Sequence, residues 1–205
     1  MMPTREQVQE LTRELREIEG IGEDDLPQVR DRLLALRERA TALGIRSAHL
    51  DARLAQALLG LEALEEAFAA ISRAIVLDPV HPSMGSLFMK IVNALRDRLD
   101  RASHDAADDS PPRLYDALSR AGETDARCHV ALARHHLARG RAADARVLLE
   151  AVTLLEPARA DAWALLAEAA RADGDSSRAA ELAARAGALR DATTPFGIPS
   201  PVARC

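Results

Sequence analysis

The sequence predicts an all-α protein, an array of about five antiparallel helix pairs, and three observations carry this expectation. Ala, Leu, Arg and Glu, all good helix formers, dominate the 205 residues, and only five side chains are aromatic. Apolar residues recur at alternating three- and four-residue spacing, the period of one helix face. The C-terminal part also repeats itself at a fixed interval, the mark of units stacked in a row.

Each element has its own local signals. Thr4 and Gln7 read as a capping box opening a first helix that ends before Gly20, with Val8, Leu11, Leu15 and Ile18 as its apolar stripe. A second helix starts after Asp25, tolerates Pro27 in its first turn and runs to Leu43, with Gly44 as its stop. Leu26, Val29, Leu33, Leu36, Ala40 and Leu43 mark its buried face, and the two helices make an N-terminal hairpin over residues 1–45. From Ser47 to Pro79 two helices of about four turns fit, broken near Gly60. The stripe Met84, Leu87, Phe88, Ile91, Val92, Leu95 and Leu99 predicts one continuous helix of about 18 residues, capped by Ser83. The polar, acidic "ASHDAADDSPP" (102–112) is expected to be the most mobile internal segment, followed by a short helix from Pro112 to Ala121 that ends at Gly122.

Residues 129–157 and 163–191 align without gaps at a spacing of 34: His129 on Trp163, Leu132 on Leu166, Ala133 on Ala167, Gly140 on Gly174, Ala145 on Ala179. Placing Pro157 on Pro79 adds an earlier unit, in which Leu54, Ala55, Leu58, Ala67, Ile71 and Ala74 match Leu132, Ala133, His136, Ala145, Leu149 and Val152. These units resemble tetratricopeptide repeats, whose pattern is a large aromatic, Leu and a small residue, Gly at the turn, then Ala, a large apolar residue, Ala and a Pro. Trp163, Leu166, Ala167, Gly174, Ala179 and Ala186 carry it in the last unit, and Leu132, Ala133, Gly140, Ala145, Leu149 and Pro157 in the one before. The departures are Asp51 at the aromatic position, Glu62 at the turn Gly and Ala183 at a large apolar one. The resemblance implies a right-handed superhelical array, a TPR-like α-solenoid, over residues 46–191. Its good units are 46–79, 126–157 and 160–191, with an irregular helical pair at 80–125 and a proline-containing tail at 192–205.

The spacing has a physical reason. Two antiparallel helices cannot bury their shared face alone, so each unit stacks on the next. Ala167 and Ala179 let paired helices approach closely, Gly174 supplies the turn, and Trp163 is expected to be buried in the gap between the last two units. Phe196 and Ile198 in the tail suggest that it caps the last helix, with dimerisation through the tail or Cys205 as the alternative.

Composition excludes several function classes. A net charge of -5 argues against a nucleic-acid surface, although Arg supplies all but one of the basic residues, the exception being Lys90. No stretch approaches membrane-spanning length and the first residues lack a secretory core, so a cytoplasmic location is expected. No metal or cofactor is expected. His135 and His136 are adjacent on a helix and point about 100° apart, while His129 and His136 lie roughly 10 Å apart along the axis. The pairs Asp24–Asp25, Glu65–Glu66 and Asp108–Asp109 sit at helix starts or loops, where capping and solvation account for them. Cys128 reads as a packing residue, with a thiol activated by a helix start as the alternative. The arginines of "VRDRLLALRERA" are interrupted by Asp31 and Glu38 and read as a solvated face. No catalytic residue emerges.

The resemblance implies that first helices line a groove that holds a partner. That places His49, Gln56, Arg127, Val130, Arg134, Leu137, Asp161, Glu168 and Arg171 in the groove, with Ala52, Leu59 and Ala164 beside them. The expected function is a non-catalytic adaptor, scaffold or assembly factor, gripping a segment of another protein by apolar contacts and by Arg pairing to acidic side chains. The alternative is an accessory subunit or a small enzyme with a site assembled on the helical scaffold. Homo-oligomerisation through exposed end repeats is a third reading.

Overall fold

The structure, a computed structural model, describes residues 3–21 and 25–193. The tail from 194 on, with Phe196, Ile198 and Cys205, and Asp24 of the first acidic pair lie outside the described residues. Ten helices and no strand occur among the described residues, two helices for each of the five hairpins expected: α1 (Arg5–Glu19), α2 (Leu26–Ala42), α3 (Ala48–Gly60), α4 (Leu64–Leu77), α5 (Pro82–Ala102), α6 (Pro111–Arg120), α7 (Ala126–Ala138), α8 (Ala142–Leu155), α9 (Ala160–Ala172) and α10 (Ser176–Thr193). The chain divides into two compact units, Met1–Asp97 and Arg98–Cys205, with the division inside α5.

The helix starts are local. Thr4 and Gln7 form the capping box on α1, and the side chains of Asp25, Ser47 and Asp125 accept a backbone N–H at the starts of α2, α3 and α7. Ser83 is the exception to expectation. α5 begins at Pro82, whose ring suits a first helical position, so Ser83 lies inside the first turn and its hydroxyl meets the His81 ring at 2.8 Å.

The helix ends share one device. Gly44, Glu62, Gly122, Gly140 and Gly174 all have positive φ, between 57° and 84°. In each case the next N–H bonds five residues back, as in Ala63 to Leu58 at 3.0 Å, Arg141 to His136 at 2.8 Å and Asp175 to Ala170 at 2.9 Å. The left-handed residue itself bonds three back, as Glu62 does to Leu59 at 3.1 Å. This is the Schellman motif, which satisfies carbonyls that a helix end would otherwise leave unbonded. Glu62 is the one non-glycine with positive φ among the described residues, so the repeat register is kept there against the side chain's own preference.

The hairpins are TPR-like in length and turn. α7 and α9 open at Ala126 and Ala160, α8 and α10 at Ala142 and Ser176, each 34 residues apart. A second register, of 78 residues, lays α3 and α4 on α7 and α8 end for end, and it extends to α2 and α6, which end at Ala42 and Arg120. The buried Leu33, Leu36 and Ala40 of α2 thereby match the buried Pro111, Leu114 and Leu118 of α6.

In unit 1, α1 packs on α2, α2 on α3 and α3 on α4. Ile18 is the buried anchor of α1, and Arg39 and Arg32 of α2 pair with its Glu14 and Glu17. In unit 2, α6 packs on α7, α7 on α8, α8 on α9, α9 on α10, and α7 also touches α9. Val130, Ala133, Ala145, Leu149, Val152, Ala162 and Leu166 form a shared core across α7, α8 and α9. On α9 and α10 the buried alanines Ala167, Ala169, Ala170, Ala179 and Ala186 outnumber larger buried side chains, with Leu166 buried beside them and Arg185 of α10 over Trp163 of α9.

Two packing expectations need correction. Trp163 is half-buried rather than enclosed. It packs against the unit 2 core, its indole N–H donates to the Pro157 carbonyl at 2.9 Å, and the Arg185 guanidinium covers its ring at 3.8 Å. The polar stretch after α5 is tied down rather than loose. Asp105 and Asp108 accept the N–H groups of Ala107 and Ser110, Arg98 pairs with Asp108 at 3.1 Å, Arg139 pairs with Asp109, and Ser103 is buried. These are Asx turns, in which a short carboxylate bonds the backbone two residues on.

The left-handed residue at position 62 gives a direct test. A side chain at that φ costs about 1–2 kcal/mol, partly offset by the unfolded-state freedom that glycine adds. Glu62→Gly should therefore stabilise by about 0.5–1 kcal/mol in urea titration. Gly140→Ala should cost a similar amount, since its added Cβ meets nothing within 4 Å and only the backbone is strained. An unstable Glu62→Gly variant would mean that its side chain holds the turn.

Candidate functional site

The inward residues expected on the first helices do not share one environment. In unit 1, His49 is exposed and its Nε2 meets Glu19 at 2.6 Å, while Gln56 accepts from Arg53 at 2.8 Å. In unit 2, Val130 is only 3% exposed and belongs to the core. Leu137 is half-buried against the same core. Val130 therefore offers no side chain to a partner, because α9 packs over that part of α7.

Arg134 is also committed within the fold. Its Nη1 donates to the buried Ser103 hydroxyl at 3.1 Å, lies 3.6 Å from Asp100, and reaches the His104 ring at 3.2 Å. The expectation of an exposed, partner-seeking Arg134 is corrected by that pairing. Asp161 accepts from Arg159 at 3.0 Å and from the Ala162 N–H at 2.9 Å. Arg127, Glu168 and Arg171 are exposed. Of the expected set they are the ones left with no ion pair or hydrogen bond from their side chains among the described residues. Arg127 opens α7 and the other two lie on α9, which touches α7.

Cys128 packs at 2% exposure, as the packing reading expects. His135, 1% exposed, and the half-buried His136 each carry an Nδ1 with no protein hydrogen-bond partner. Burial pushes both imidazoles below their usual titration range; Arg141 acts in the same direction on both, and Arg139 adds to it at His135. Asp108 and Asp109 oppose it at His135, and Asp144 at His136.

A second feature escaped sequence reasoning. In unit 1 the end of α2, the 43–47 link, the start of α3 and the end of α4 enclose a cleft of about 650 Å³. Arg37, Arg46 and Arg73 line it with Asp51, and Ile45, Leu50, Val76 and Leu77 supply apolar wall. Arg37 comes from the strip that reads as a solvated helix face, yet it is half-buried here. Asp51 is buried and holds Arg73 at 3.0 Å, whereas neither Arg37 nor Arg46 has a side-chain partner among the described residues.

Asp51, in the cleft lining, stands at a distinctive repeat position. It is the aromatic position of the repeat, equivalent to His129 and Trp163, and Arg73 is equivalent to Ala151 and Arg185. In the last unit Trp163 and Arg185 stack there, and in the middle unit His129 meets Tyr115, the counterpart of Arg37, edge to face at 5.6 Å. Two units put rings at this place and the first puts a short carboxylate. The departure at Asp51 was the available signal, and it reads from the sequence as a weaker repeat rather than as space.

No protein-family model matches the chain, and no curated protein matches it. Among solved structures it is similar to a crystal structure of MamA, at 14% identity over 84% of this chain and 93% of that one, with a TM-score of 0.46. A structure described as MamA MSR-1 C2 shares 14% identity over 92% and 99%, with a TM-score of 0.41. A Podosopora anserina kinesin light chain with nearly identical TPR-like repeats shares 18% identity over 94% and 97%, with a TM-score of 0.36. No described helix is long and apolar enough to cross a membrane.

Two measurements check the geometry. Arg134→Ala should lower stability by about 1 kcal/mol in urea titration, from its lost bond to a buried hydroxyl and a half-exposed ion pair. Arg171→Ala should stay within about 0.5 kcal/mol of the parent. Because His135 and His136 titrate lower folded than unfolded, their stabilising contribution is complete above the unfolded value near pH 6.5 and is lost as pH falls below it. Stability should drop between about pH 7 and pH 5.5, by at most ~1.4 kcal/mol per pH unit for each histidine, and His135→Gln/His136→Gln should flatten the slope. A parent profile flat over that range would show that both rings protonate freely in the fold.

Proposed function

We propose that this chain is a non-catalytic interaction module of the cytoplasm, an adaptor or assembly factor that holds a segment of another protein along α9 and the start of α7. The observation that carries the reading is the set Arg127, Glu168 and Arg171, exposed on touching first helices and left without partners by the fold. Exposed charges on a packed helical frame cost no desolvation until a partner arrives, and they set its orientation and charge. Two arginines against one glutamate suit a segment with an excess of acidic side chains. Ala164, half-buried one turn before Glu168 on α9, leaves room for the segment's apolar residues. On α3 of unit 1, His49 and Gln56 are the proposed contacts, and a partner would have to compete with Glu19 and Arg53 for them.

A photo-crosslinking residue placed at Ala164 tests this in the native cell. It should capture one partner reproducibly, and Arg127→Glu/Arg171→Glu should lower the yield about tenfold while the melting temperature stays put. Capture unaffected by the reversal, or only of a second copy of this chain, would overturn the reading.

A further inference from the structure

We infer that the cleft of unit 1 is a separate docking site, one that takes an acidic, apolar-rich segment of a partner protein. It extends the interaction reading to a surface that the first-helix face does not include.

The cleft lies where the repeat pattern departs from a ring. The equivalent place in the middle unit is occupied by Tyr115 against His129, and in the last by Trp163 under Arg185. Here Asp51 holds Arg73 at 3.0 Å instead, and both line a cleft of about 650 Å³, within the range that binding pockets span.

The charge of the cleft selects the occupant. Arg73 is neutralised by Asp51, but Arg37 and Arg46 are not neutralised by any described residue. The start of α3, capped by Ser47, adds the positive end of a helix dipole to the same lining. The fold does not impose this sign. At the 78-residue register Arg37, Arg46 and Arg73 correspond to Tyr115, Thr124 and Ala151, while Ile45, Ser47 and Ser72 correspond to Glu123, Asp125 and Glu150. The same frame is thus built with cations in one copy and carboxylates in the other.

The apolar wall fixes the class. Val76 is 82% exposed on the rim, and Val80 follows it at 86%. With Leu77 also 39% exposed on the same wall, this apolar rim suits a chain of several side chains rather than one small amphiphile. Carboxylates would pair with Arg37 and Arg46 while leucine- or phenylalanine-like side chains cover Val76 and Leu77.

Fluorescence anisotropy on the full chain tests this with three labelled short peptides. One alternates Glu with Leu and Phe, one replaces its Glu by Lys, and one replaces its Leu and Phe by Ser. The Glu/Leu/Phe peptide should bind at least about tenfold more tightly than either of the others. In an Arg127→Glu/Arg171→Glu background, Arg37→Glu/Arg46→Glu should abolish that preference and Val76→Ser should weaken binding, both with unchanged helical circular dichroism. The preference should persist in Arg127→Glu/Arg171→Glu itself, where the α9 face no longer takes an acidic peptide, so the cleft and the α9 face stand or fall separately. Equal binding of the acidic and basic peptides would overturn the proposal. So would equal binding of the Ser peptide, or binding of decanoate with none of the Glu/Leu/Phe peptide.

Discussion

Everything in this fold waits on the way a helix is brought to a stop. A helix end leaves carbonyls without donors, and a chain that must reverse within three residues has no room to bond them through side chains. One left-handed residue solves both problems, turning the chain while the next two N–H groups reach back into the last turn. The same geometry closes α3, α7 and α9 before their partners begin. Identical turns give hairpins of identical reach, and identical reach puts equivalent side chains at equivalent heights. The 34- and 78-residue registers are consequences of that stop. Glu62 shows the constraint acting on a residue poorly suited to it.

Once the frame is fixed, individual positions are free to change chemistry. Positions 51, 129 and 163 face 73, 151 and 185 of the same hairpin, and the pairings are an ion pair, a ring with its space filled from α6, and a cation over an indole. None alters the helix boundaries. Each alters what lies open beside α3, α7 or α9, which is how one repeat carries surfaces of different charge.

The sequence was most legible where structure is decided within a few residues. The capping box at Thr4, the stops at Gly44 and Gly122, and the stripe from Met84 to Leu99 appear as read, because caps, turns and helical periods are short-range effects. Legibility failed where the deciding neighbour lies far along the chain. Val130, expected to line the groove, is packed in the core with α9, and Arg134 meets Asp100 and Ser103 some thirty residues away. The stretch 103–110 has the composition of a loose loop, yet its aspartates bond its own backbone and two distant arginines. The cleft was hidden for another reason. It lies where the repeat pattern departs from a ring at Asp51, and a departure reads as a poorer match rather than as a feature.

The alanine seam between α9 and α10 sets an unusual tolerance for change. In a core of leucines, trimming is the costly event, since it leaves a void. Here Ala167, Ala170, Ala179 and Ala186 have almost nothing to trim, and each added methyl group must push two helices apart. At those alanines the usual asymmetry is inverted: a change to glycine costs only about 1 kcal/mol of helix propensity, whereas a larger side chain must displace a helix. A seam of this kind leaves few single replacements that the packing accepts, so its plain composition is itself a tight specification.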